Sequence, residues 1–128
     1  MTRLFLASLL VAVSLGNAVG AGKTPDVQIV EVMARRSGDR IIIDGRIRGE
    51  RKKPIPGVVL LFDFLAPGGA VITTQEYSTG EDVLARADEL PFNVQLRDEA
   101  RAVKYRVNAT DGQGNELRVA GGGPFPIE

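Results

Sequence analysis

The chain has 128 residues, with 16 basic and 16 acidic side chains and no Cys, His or Trp. That length suits one domain with a single modest core, and balanced charge gives no global field to draw nucleic acid or an anionic membrane. Without His and Cys, the chain lacks the usual transition-metal ligands and the usual general base of a Ser or Cys nucleophile.

Residues 1–21 read as a secretory signal peptide. Arg3 is the positive n-region, Leu4 to Leu15 the short apolar stretch, and Ala18-Val19-Gly20-Ala21 the small-residue cleavage site. The apolar stretch is shorter than the ~20 residues of a spanning helix, so no membrane span is expected after cleavage. The mature domain is then exported, to the periplasm or beyond, without a disulfide, and must be held by its core alone. Gly22 to Asp26 reads as a flexible lead-in, 27–120 as the folded domain, and Gly121 to Glu128 as a Gly/Pro-rich tail without regular structure.

From Val27 onward the chain is a series of short strand signals separated by turns, with no long helical period. Val27 to Arg36 is the first strand, with Ile29 and Met33 on one side and Val30, Val32 and Ala34 on the other. Arg40 to Arg48 is the second, with Ile41, Ile43, Gly45 and Ile47 inward; Gly45 suggests a bulge or a close backbone approach. The most apolar stretch, Pro54 to Ile72, reads as a central hairpin, with Val58, Leu60, Phe62 and Phe64 on one face. Its other face, Val59, Leu61, Asp63 and Leu65, is covered for part of its length. Ala70 to Ser78 follows as the fourth strand.

Thr79 to Glu89 reads as a polar loop with one helical turn around Glu81 to Ala87. Leu90, Phe92, Val94 and Leu96 alternate inward on the next strand, and Pro91 marks its start or a sheet edge. Ala102 to Thr110 points Val103, Tyr105, Val107 and Ala109 inward, and Glu116 to Ala120 closes the set. Seven strands at this spacing predict an all-β fold, a single seven-stranded antiparallel β-sandwich. Phe125 and Ile127 of the tail are expected to tuck against a sheet.

The run Ile43-x-Gly45-x-Ile47-x-Gly49, then Lys53-Pro54-Ile55-Pro56-Gly57-Val58 and Leu61-Phe62-Asp63, resembles the FxLYD-type domain. Gly69 to Val71, Phe92-x-Val94 and Tyr105-x-Val107 extend the likeness over about 41–119. Gly49 stands where that family usually has Asn, and the turn after Asp63 is longer. The resemblance implies a bacterial exported module with an immunoglobulin or fibronectin type III-like sandwich, and it brings no catalytic residues. Tyr105 resembles the corner tyrosine of such domains, a core residue whose hydroxyl bonds backbone.

The densest charge is Arg46, Arg48, Arg51, Lys52 and Lys53, a candidate surface for an acidic partner, a polyanionic glycan or lipid headgroups. The simpler account is a solvated loop with Lys guarding a sheet edge. No aromatics interleave to stack bases, so nucleic acid is not expected. Asp111, Asn115 and Glu116 in the DGQGNE turn, with Asp98 and Glu99 before it, are candidate calcium ligands, though the loop lacks the EF-hand pattern. Otherwise it is a Gly/Asn turn. Asp82, Asp88 and Glu89 are the carboxylates that a hydrolase would need, in a loop that reads as solvated. Asn108-Ala109-Thr110 fits a glycosylation sequon but falls within a strand.

The expectation is an exported non-catalytic module without a cofactor. It would recognise an envelope or extracellular protein partner by a sheet edge or by end loops. The alternative is a glycan- or calcium-binding module using the same loops.

Overall fold

A computed structural model describes residues 24–80 and 83–128. The secretory leader expected over 1–21, Gly22 and Lys23 of the lead-in, and Glu81 and Asp82 lie outside the described residues. What is described is all-β, in eleven paired segments rather than seven. The longer ones are β1 (Val27–Ser37), β2 (Arg40–Gly49), β4 (Val59–Leu65), β5 (Val71–Ser78), β7 (Glu89–Arg97) and β8 (Lys104–Thr110). Between and after them come the two-residue segments β3 (Ile55–Pro56), β6 (Val83–Leu84), β9 (Glu116–Leu117), β10 (Val119–Ala120) and β11 (Phe125–Pro126).

One sheet has the order β10-β1-β2-β7 and the other β9-β8-β4-β5, with β11 also on β8; β3 and β6 form a small ladder of their own. The apolar faces of the two larger sheets share one core, in which Phe62 of β4 and Phe92 of β7 lie 6.2 Å apart, ring to ring. This arrangement fits a β-sandwich. Ile41, Ile43 and Ile47 on β2 are fully buried, as are Val58, Leu60, Phe62 and Phe64 leading into and along β4. Asp63 and Leu65 are buried on the opposite face, so β4 is covered on both sides there.

Four local expectations change. In β1, a bulge between Ile29 and Glu31 switches the strand's phase, so Ile29 is buried with Ala34 while Met33 is 65% exposed. Strict alternation put Met33 with Ile29; one extra residue reverses every side chain beyond it. The turn expected at Glu81 to Ala87 is not helical over its described part. Instead Val83 and Leu84 pair with Pro56 and Ile55, and Leu84 is buried. Strand β8 begins at Lys104, so Ala102 is buried and Val103 is 43% exposed. Finally, the segment 116–120 splits at Arg118, with β9 antiparallel to β8 and β10 parallel to β1.

The tail is also more ordered than its composition suggested. Phe125 pairs with Tyr105 on β8, and Ile127 packs against the core. The Glu128 amide donates to Ala34 O at 3.0 Å and the Arg36 amide to Glu128 O at 3.3 Å, so the tail crosses from one sheet to the other. The lead-in is tied as well: the Asp26 amide donates to Arg118 O, and the Arg118 amide donates to the Asp26 carboxylate, both at 2.8 Å.

Candidate functional site

The five cations of the second strand and its loop fall into two groups. Arg46 and Arg48 project from β2 onto the outer face of their sheet, among carboxylates placed opposite by register. Arg46 pairs with Glu31 at 3.2 Å and Glu89 at 3.4 Å. Arg48 pairs with Glu50 at 2.7 Å and Glu89 at 3.9 Å, and donates to Gln28 Oε1 at 2.7 Å. Cross-strand pairing of this kind stabilises a sheet by about 0.2–1 kcal/mol per pair. It leaves these two arginines little charge for a partner.

Arg51, Lys52 and Lys53 lie beyond Gly49 in the loop, and Lys52 and Lys53 are exposed. Arg51 and Lys52 line a groove of about 270 Å³ whose other walls are Thr24, Pro25, Asp26, Glu50, Arg86 and Arg118. Lys53 is not part of its lining. Two arginines distant in sequence therefore join the loop. A parallel bridge between Gly49 and Arg86 places Arg86 there, with Ala87 N donating to Gly49 O at 2.8 Å. Gly49 permits the approach because a Cβ at that position would run into the Ala85 carbonyl. Arg118 arrives by the sheet switch after β9, and its Nε donates to Thr24 O at 2.9 Å.

Four cations thus face two carboxylates around the groove, and both carboxylates already have partners. Asp26 takes the backbone amide and guanidinium of Arg118, and Glu50 takes Arg48. Among the described residues, Arg51, Lys52 and Arg86 make no ion pair. No sequence signal marked Arg86 or Arg118, because neither sits in a charge run.

The DGQGNE turn is shaped by its own carboxylate. Asp111 Oδ1 accepts the backbone amides of Gln113 and Asn115, both at 2.9 Å, and Oδ2 accepts the Asn115 side-chain amide at 3.1 Å. The Asn115 side-chain bond, the two backbone amides and the nearby Arg51 charge together hold the Asp111 carboxyl below the usual range. Both oxygens face N–H groups, so a cation would have to displace the donors that build the turn. Glu116 is exposed on β9. Asp98 accepts Arg36 Nε at 2.9 Å, and Arg36 Nη2 also donates to Glu99 O at 3.0 Å. No group of three or more acidic side chains is poised for a metal among the described residues.

Of the catalytic carboxylates considered, Asp82 lies outside the described residues and Glu89 is held by Arg46 and Arg48. Asp88 is exposed, its backbone carbonyl taking the Gly49 amide. A different carboxylate, Asp63, is held by three side chains. On the outer face of β4 it accepts Thr74 Oγ1 at 2.6 Å, Arg106 Nη2 at 3.0 Å and Asn108 Nδ2 at 2.9 Å. Thr74 and Arg106 are its direct neighbours across the two flanking strands. The Asn108 amide of the sequon is therefore committed to Asp63.

Tyr105 is fully buried, next to Phe64 on β4 and against the ring of Phe125 at 5.5 Å. What holds it is an aromatic row across three strands. Gly45 lies under Phe92: a Cβ there would stand 2.5 Å from Glu31 O and 2.6 Å from Phe92 Cζ. The close approach expected of Gly45 is present, and the bulge belongs to its neighbour β1.

No protein-family model matches the chain. No curated protein matches it either.

Proposed function

We propose that this chain is an exported, non-catalytic binding module of the bacterial envelope, engaging an acidic segment of a protein partner at the end groove. The observation that carries this reading is the meeting of Arg51, Lys52, Arg86 and Arg118 around one concavity. Three loops and the lead-in contribute to it, on a scaffold of paired strands. Cations held close together by backbone pairing bind an anionic chain with less ordering cost than cations on a free tail. The FxLYD-type resemblance supports the same setting, and within it the six long strands and the divided seventh read as an immunoglobulin or fibronectin type III-like sandwich. The carboxylates of Asp63, Glu89 and Asp111 are committed to guanidinium, hydroxyl or N–H partners, which supports binding over hydrolysis.

The test is affinity capture with cross-linking from envelope extract, using the parent chain and a variant carrying Arg51→Glu, Lys52→Glu and Arg86→Glu. One saturable partner, weakened by salt and lost in the variant, is the expected result. Capture of that partner equally well by the reversed variant would overturn the reading.

A further inference from the structure

Among the described residues, the edge strand β7, with the sequence ELPFNVQLR, pairs only with β2. Its outward backbone groups can be identified. Arg97 directs its amide and carbonyl away from β2, where both meet the Gln75 side chain at 3.1 Å. Alternation along an antiparallel strand then turns Glu89, Pro91, Asn93 and Gln95 outward as well. Pro91 has no N–H, which agrees with a position where β2 asks for none. The outer edge therefore offers the amides of Asn93 and Gln95 and the carbonyls of Pro91, Asn93 and Gln95.

The strand is also a charge and size palindrome about Asn93. Glu89 and Arg97 lie four residues to either side on the exposed face, and Leu90 and Leu96, then Phe92 and Val94, on the inner one. A second copy laid antiparallel with Asn93 on the two-fold axis sets each Glu89 opposite the other copy's Arg97, and each Leu90 opposite a Leu96. Four backbone bonds close, two between the Asn93 pair and one from each Gln95 amide to the other copy's Pro91 carbonyl. Moving the axis to a neighbouring residue keeps backbone bonds but sets Pro91 opposite Arg97 or Glu89 opposite Gln95. Charge selects the register.

A second observation within one chain points the same way. Arg97 stands directly opposite Arg40 on β2, a like-charge pair that destabilises a sheet. Among the described residues, no carboxylate forms an ion pair with Arg97. The carboxylate missing there is the one a second copy supplies.

We propose that β7 is a self-association edge, joining two copies antiparallel about Asn93 into one continuous sheet through reciprocal Glu89–Arg97 pairs. This is independent of the end groove. Glu89 shares its carboxylate with Arg46 and Arg48 in this arrangement, and Gln75 keeps the Arg97 backbone, so the ladder is short. The interface is small and the dimer weak, in the micromolar to millimolar range.

The chain has no cysteine, so Asn93→Cys introduces a single thiol. In a backbone-bonded antiparallel pair the two Cα atoms stand about 5.5 Å apart, within disulfide reach. Under mild oxidation, Asn93→Cys is expected to form a covalent dimer much faster than Ala100→Cys, placed on an exposed loop. In sedimentation equilibrium the parent chain should show a mass rising toward dimer. Glu89→Arg or Arg97→Glu should each weaken it about tenfold, and the double exchange should restore it. A chain monomeric to millimolar concentration would overturn the proposal. So would equal cross-linking at positions 93 and 100, or a double exchange no tighter than the single variants.

Discussion

The side-chain amide of Gln75, on the edge strand of one sheet, takes the place of a strand residue against Arg97 on the edge of the other. It donates to Arg97 O and accepts from Arg97 N, both at 3.1 Å. Gln75 lies beside Phe62 on the inner face, 8% exposed, and spans the gap between the sheets. On the opposite side the gap is closed by β10, β11 and the Glu128 backbone.

Removing the clasp should loosen the fold. Gln75→Leu deletes both bonds and leaves the Arg97 backbone to water, a loss of about 1–3 kcal/mol. Thermal unfolding should show it as a fall of roughly 5–15 °C. Gln75→Glu keeps an acceptor for the Arg97 amide and should fall between. A leucine variant as stable as the parent would show that the clasp contributes nothing.

Gly45 should tolerate no side chain. Gly45→Ala puts a methyl into the Glu31 carbonyl and the Phe92 ring, costing about 1–3 kcal/mol as overpacking. Adding Phe92→Leu should recover only part of that, because the Glu31 carbonyl is backbone and stays. Full recovery in the double variant would assign the cost to the ring alone.

Burial pushes the Tyr105 phenol up to about 12, from a usual value near 10.0. The folded chain therefore keeps this proton at a pH where the unfolded chain releases it. The associated stability is whole below about pH 10 and drains away as pH rises toward 12. Tyr105→Phe should flatten the alkaline limb of a stability-versus-pH curve while leaving the acid limb alone. An unchanged alkaline limb would mean that the phenol does not titrate with unfolding.

Asp111 acts with the opposite sign. Asn115 and the turn amides lower its pKa in the folded chain, so its contribution is present above the usual carboxyl value of 3.8. It is lost as pH falls through the depressed value. Asp111→Asn should reduce the acid dependence of the melting temperature. Because its oxygens serve the turn, adding calcium should leave the parent's melting temperature unchanged. A calcium-dependent rise that disappears in Asp111→Asn would instead make the loop a cation site.

The elements most legible in the sequence are those whose pattern is local. Alternation on β2, β4 and β7 placed Ile41, Ile43, Ile47, Phe62, Phe64, Phe92 and Val94 inside, and of the two places open to Pro91 for its missing N–H, a strand start or a sheet edge, the fold uses the edge. Alternation failed at Met33 because a bulge changes phase without changing composition. It failed at Val103 because the strand begins two residues later than Ala102, at Lys104. The basic loop was visible as a run of charge, but the groove was not. Arg86 and Arg118 reach it through a bridge to Gly49 and a strand that changes sheets, and both are long-range backbone pairings.

By itself, the sequence determined that this is an all-β chain whose single core must hold without disulfides, because period-two alternation and residue absences are properties of the chain alone. Tertiary structure decided which charges are spent and which remain. Register set Arg46 and Arg48 against Glu31 and Glu89, and backbone pairing gathered Arg51, Lys52, Arg86 and Arg118 at one end. Coulomb energy depends on distance in space, and backbone pairing fixes that distance between residues far apart in the chain.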